Sequence, residues 1–289
     1  MKKLLPFLVV VLASQAARAA DPYVSRGFIQ FPSSAKIDAV SAVAVDQEDR
    51  IYVLQRGEPQ VLSFDKDGKF VHGWGQGLFK VPHGLAIDAD GNVWTTDNGN
   101  HSLRKFSNKG ELLQTLGTVG TPGNGKDAFR SPDDIVFSSK REMFIADAGN
   151  GRIVKLSREG KFLTEWGSKG KGDSQFAAAH GLAIDERDCI YVADRGNNRV
   201  QVFEPDGKFV AAWTGFGNPF GLLVVGKELL VSDGDAHRIT HLDREGKITA
   251  VWGTPETLLL PHLMCVNTRG TLYVAEVNGK RVQMFDRTK

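Results

Sequence analysis

IYVADRGNNRVQVF, residues 190–203, decides the fold class. Apolar and polar positions alternate on either side of a turn rich in Asp, Gly and Asn. Those residue types accept the positive φ angles that tight hairpins need. The same hairpin returns as NVWTTDNGNHSLRKF (92–106), MFIADAGNGRIVKL (143–156), LLVSDGDAHRITHL (229–242) and LYVAEVNGKRVQMF (272–285), with a more divergent first copy, IYVLQRGEPQVLSF (51–64). Ahead of each copy stands another apolar strand: SAVAVD (41–46), PHGLAID (82–88), PDDIVF (132–137), AHGLAID (179–185), PFGLLVV (219–225) and PHLMCV (261–266). After most hairpins a short turn of the DKDGKF or EPDGKF type leads to a fourth strand, which ends near Trp74, Leu116, Trp166, Trp213 or Trp252. A period of about 40 to 50 residues suits radial β-blades, and no sustained helical period competes with it. The last unit stops at Phe285 without a fourth strand, and YVSRGFIQF (23–31) has the pattern to supply it. The expectation is an all-β chain: a single six-bladed β-propeller over residues 20–289, closed by an N-terminal strand in the last blade.

The first residues carry a different pattern. Lys2 and Lys3 precede an apolar run from Leu4 to Ala13, and Ala17-Arg18-Ala19 offers small residues for cleavage. The run is far short of the roughly 20 residues that span a bilayer. Residues 1–19 therefore read as a signal peptide, which predicts an exported protein, periplasmic in a bacterium or secreted. No later stretch is apolar enough to span a membrane. With 36 basic against 34 acidic residues and no basic cluster, nucleic acid is not an expected partner. Cys189 and Cys265 fall in different repeats and read as two buried thiols. A closed ring has no free sheet edge to cover, which favours a monomer.

In a propeller the first strand of each blade lines the central channel. His83, His180 and His262 hold one position of that strand in blades two, four and six; Ser41, Asp133 and Phe220 hold it in blades one, three and five. Alternate blades of six are related by about a third of a turn, so the three imidazoles should converge on the axis. A lone histidine there would read as a hydrogen-bonded core residue. Three together, without a metal, would leave buried ring nitrogens short of partners, which is costly. Three histidines with an open fourth position are the ligand set of a catalytic zinc site; iron, copper and manganese also accept imidazole. Arg56 in LQRGE and Arg195 in ADRGN sit in turns that return to the same face, where planar guanidinium forks suit a substrate carboxylate. Arg152, Arg199, Arg238 and Arg281 read as ties between strands and turns.

The VAD-x-G-N-x-R hairpins at Asp147–Ile153 and Asp194–Val200 resemble the NHL repeat. The Pro-His-type strand starts, with the two arginine turns, resemble the peptidyl-α-hydroxyglycine α-amidating lyase family over most of the chain after residue 19. That resemblance implies a zinc held by His83, His180 and His262, and a substrate carboxylate held by Arg56 and Arg195. It implies cleavage of a small or peptidyl carbinolamide into an amide and glyoxylate. Two positions depart from the family. Its catalytic base is a tyrosine in the blade-three turn, whereas this turn is ADAGNGR, one residue shorter, which brings Asp133 or a hydroxide forward as the base. Its structural calcium is held partly by backbone carbonyls matching Val43 and Leu85, but the carboxylate after the third histidine is Leu263 here, which speaks against calcium. Two other classes fit the same pattern: a metal-assisted ester or lactone hydrolase, and a non-enzymatic propeller that docks a protein or peptide on its metal-bearing face. An exposed aromatic patch around Phe216 and Phe220 would mark the last of these.

Overall fold

A computed structural model describes residues 21–288. Six four-stranded antiparallel sheets are arranged as the blades of a propeller, with a small two-stranded parallel sheet of Ser168–Lys169 and Gln175–Phe176 and almost no helix. Blade two is typical: Pro82–Ile87, Val93–Asp97, Ser102–Phe106 and Leu112–Leu116 lie side by side in chain order. The sixth sheet takes Pro261–Val266, Leu272–Glu276 and Arg281–Arg287 from the end of the chain, and Tyr23–Phe28 pairs antiparallel against the last of them. The signal-peptide reading of residues 1–19 lies outside the described residues. Among the described residues, no helix is long and apolar enough to cross a membrane.

The alternation in the hairpins becomes a core between blades rather than one central core. Trp94, Leu103, Ile135 and Met143 pack the second blade against the third, and Tyr191, Val200, Leu222 and Val231 pack the fourth against the fifth. The DGK-type turns have a job in this packing. Gly110, in the blade-two turn, has φ +86°, and a Cβ added there would lie 2.8 Å from Trp74 of blade one. Glycine both adopts the turn and lets the indole of the preceding blade lie flat against it. Gly207 meets Trp166 in the same way.

The expected strand-to-turn ties are present. Arg152 bonds Asp147, Arg199 bonds Asp194, Arg238 bonds Asp233 and Arg281 bonds Glu276 through their Nε groups at 2.8–3.1 Å. Other expectations need correction. Both cysteines are free and only partly buried, each packed at the margin of an inter-blade core. His241 is an inter-strand residue that is also buried: its Nε2 accepts a 2.9 Å bond from Trp252 Nε1 of the paired strand, and Tyr23 of the N-terminal strand lies across both rings. Phe216 and Phe220 are buried and form no exposed aromatic patch.

Candidate metal centre

Each first strand breaks register at the same point. The pairing in blade two steps from Pro82↔Asp97 to Leu85↔Thr95, and the strand bulges around His83. The same shift brackets Ser41, Asp133, His180, Phe220 and His262 in the other five blades. A bulge re-aims the side chain it carries and frees a backbone N–H from the ladder. Freed groups find local partners: Gly84 N–H donates to Thr96 Oγ1 and Gly221 N–H to Ser232 Oγ, both at 2.7 Å, while Leu182 N–H donates to the Asp134 carboxylate at 2.9 Å. The six bulges therefore build one ring of axial residues.

Within that ring the blades divide the work. His83 Nδ1 lies 2.8 Å from the Asp133 carbonyl, His180 Nδ1 2.9 Å from the Phe220 carbonyl, and His262 Nδ1 2.6 Å from the Ser41 carbonyl. A carbonyl oxygen can only accept, so each Nδ1 carries the proton and each Nε2 keeps its lone pair. Every histidine of an even blade is thus oriented by the backbone of the axial residue in the next odd blade, the outer bond that ligating histidines make. The glycine after His83 makes this approach possible. A Cβ on Gly84 would stand 2.6 Å from that same Asp133 oxygen, and Gly181 faces the Phe220 oxygen even more closely.

The three rings meet edge to face with centroids 4.6, 4.8 and 4.9 Å apart, and their candidate ligand atoms all lie within 4.8 Å of one another. All three histidines are buried. Burial holds each imidazole below its ordinary pKa, and mutual repulsion among the rings, together with the charge of Arg195, pushes His180 and His262 lower still. His180 Nε2 is wholly buried with no hydrogen-bond partner in the protein. Three neutral imidazoles with converging lone pairs, one of them orphaned, are a donor set that a divalent cation satisfies and that packing alone does not.

The arginine turns are fixed next to this ring by backbone bonds. Arg195 N–H donates to Ala178 O and Arg56 N–H to Ala39 O, two residues before His180 and Ser41 respectively. Asp194 clamps the first of these turns by accepting from Ala177 N–H, the Asn197 amide and Arg199. Neither guanidinium has a carboxylate partner; among the described arginines only Arg130 shares that condition. Arg195 is half-buried, with its guanidinium 4.9 Å from the centre of the Phe220 ring, whereas Arg56 is exposed. The charges of both bear on His83, His262 and Asp133.

Asp133 is buried beside His83, and burial raises its pKa against the opposing pull of that histidine and the Asn98 amide. Asn98 makes a short side-chain bond to Asp133 Oδ1. Asn98 occupies in blade two the turn slot that Arg56 and Arg195 occupy in blades one and four, its N–H bonded to Val81 O. Sequence reasoning gave Asn98 no work, and DNGN in place of DRGN is the signal that could have singled it out. Thr96 was missed as well. Its hydroxyl donates to the Asp133 carbonyl at 2.8 Å, so that one oxygen receives both Thr96 and His83. His101 stands outside the trio, its Nδ1 accepting from Ser131 N–H at 3.0 Å. Below the histidines the channel becomes an aliphatic cavity of about 210 Å³ lined by Val43, Leu85, Ile135, Leu182, Leu222 and Leu263, with Asp134 as its charged residue. Burial lifts the Asp134 carboxyl to about 7, although it accepts bonds from Leu182 and Ile135 N–H.

Comparison with known proteins agrees with this architecture. The NHL repeat profile matches residues 79–106 and 176–203, and the chain carries NHL repeats. It is 34% identical to mouse peptidyl-glycine alpha-amidating monooxygenase over 50% of the chain and 18% of that protein. It is 34% identical to mouse NHL repeat-containing protein 3, covering 49% and 45% of the two chains. It is 29% identical to peptidyl-alpha-hydroxyglycine alpha-amidating lyase 1 of Drosophila melanogaster, covering 47% and 30%. The matched stretch spans less than half the length of each of these relatives.

Proposed function

We propose that this chain is an exported, metal-dependent carbon–nitrogen lyase that cleaves a peptidyl-α-hydroxyglycine-like carbinolamide into an amide and glyoxylate. The observation that carries the reading is the placement of two arginines without carboxylate partners beside three neutral, converging imidazoles. Relatives named as amidating enzymes support it. His83, His180 and His262 would hold the metal, zinc first on ligand type. A divalent metal in such a site supplies Lewis acidity, lowering the pKa of an oxygen acid bound to it.

The chain's own groups account for the rest. Arg195 and Arg56 fix the terminal carboxylate and with it the orientation of the carbinol carbon. Asp133, held by Asn98, takes the hydroxyl proton and returns it to the departing amide nitrogen. The carbon–nitrogen bond breaks as the carbinol C–O becomes a carbonyl. One proton moves from oxygen to nitrogen, and no oxidant or reductant is consumed. The buried imidazole ring keeps bulk water from the lower side of the site. Residues 1–19, read as a signal peptide, would deliver the chain to the periplasm or beyond, with residues 20–289 acting as a monomeric single domain.

The test is metal content followed by glyoxylate release from a simple substrate such as α-hydroxyhippurate. About one zinc per chain, together with glyoxylate release that Arg195→Ala slows mainly through a higher KM, is the expected result. Zinc without glyoxylate release would turn the reading to a metal-assisted hydrolase. No metal, even after zinc is added, would leave a binding propeller.

A further inference from the structure

We infer that Phe220 is the residue that positions Arg195 for a substrate carboxylate, an inference that rests on the reading just given. The turn carrying Arg195 fixes its backbone, but its side chain has no ion-pair partner to choose among its many rotamers. The face of the Phe220 ring supplies that choice. The guanidinium carbon lies 4.9 Å from the ring centroid, within cation–π range.

The ring is itself immobilised from three sides. His180 abuts it with centroids 5.1 Å apart and His262 at 5.3 Å. Gly234, in the blade-five turn, forms the third side, where an added Cβ would meet the ring carbons at 2.5–2.6 Å. Blade five has glycine in the slot where blades one and four have arginine, and the space so released is filled by the phenyl ring. The Phe220 backbone carbonyl meanwhile orients His180. One residue thus sets the direction of a metal ligand through its backbone and that of an anion-binding group through its side chain. A guanidinium held over a ring face still has N–H groups to donate to a carboxylate. Arg56 is exposed and has no such seat. Arg195 should therefore be the stronger anchor.

Calorimetric titration of the zinc-loaded protein with glyoxylate, the carboxylate product, tests this. Phe220→Leu should weaken glyoxylate binding about three- to thirtyfold, the span of a cation–π contact, and raise KM more than it lowers kcat. Phe220→Tyr, which keeps the ring face, should stay within about twofold of the parent. Gly234→Ala, which leaves Phe220 in place but displaces its ring, should fall between them. Zinc stoichiometry should be unchanged in all three. Glyoxylate binding by Phe220→Leu within about twofold of the parent overturns the inference alone. Loss of zinc in Phe220→Leu also overturns it, since the ring would then serve the histidines instead. Failure of the parent protein to bind glyoxylate overturns the carboxylate-site reading, and the inference with it.

Discussion

Even and odd blades share one strand pattern yet contribute different parts of themselves to the axis. Blades two, four and six offer side chains, the imidazoles of His83, His180 and His262. Blades one, three and five offer backbone, the carbonyls of Ser41, Asp133 and Phe220. The difference teaches that a sixfold scaffold can present a threefold set of imidazoles by assigning side chain and orienting carbonyl alternately. Because the orienting oxygen belongs to the main chain, the odd-blade side chains are free to differ. Asp133 sets a carboxylate and Phe220 a phenyl ring beside the histidines, while the Ser41 hydroxyl turns to Leu54 O.

The largest effect should come from deleting an even-blade side chain. His180→Ala should cut zinc content from about one per chain to near zero and glyoxylate release on the order of a thousandfold, read by elemental analysis and product assay. Next comes the odd-blade carboxylate. Asn98→Ala frees Asp133 from its amide partner and should lower kcat about ten- to hundredfold with zinc content unchanged. A fall in zinc in that variant would show that Asn98 acts through the bond from His83 Nδ1 to the Asp133 carbonyl rather than through the Asp133 carboxylate.

Ser41→Ala sharpens the comparison from the other side. Its hydroxyl makes only a 3.4 Å bond to Leu54 O, while its carbonyl serves His262. Zinc affinity should therefore stay within about twofold of the parent, and a large loss would break the account in which Ser41 serves His262 through its carbonyl alone.

The smallest effect concerns a histidine that serves packing alone. Burial holds His241 below its ordinary pKa. Unfolded imidazole titrates near about 6.5, so below that pH the unfolded chain binds the extra proton and stability falls as pH drops. Asp133 and Asp134, raised by burial, pull the other way, losing stability as pH rises through their folded values. The quantity to read is therefore the difference in melting temperature between parent and His241→Gln, which keeps an acceptor for Trp252. The parent should lose more between about pH 7 and 5, by a few degrees.

Much of this site was legible along the chain because it is written in repeats. Once the hairpins are aligned, His83, His180 and His262 fall into one column and Arg56, Arg195 and Asn98 into another, and blade geometry carries each column to one place. Asp133 stood out for the same reason. Phe220 was visible in the column, but its ring seat on Gly234 depends on a contact between a strand start and a turn. Thr96 was not visible, since its bond crosses from blade two to blade three. The burial of His241 was not visible either, since strand alternation marks a face without saying what covers it; Tyr23, far away in sequence, does so.

The sequence by itself determined the six-bladed plan, the composition of the axial ring and the face on which the arginines gather, because each follows from periodicity. Only the tertiary structure decided which nitrogen of each imidazole carries its proton, since the Nδ1 partners are carbonyls of neighbouring blades and local sequence cannot specify the approach of another strand. It also decided that the axial residues sit on bulges, which depends on the register between paired strands. Finally, it decided which arginine is held, because the ring under the Arg195 guanidinium belongs to a different blade.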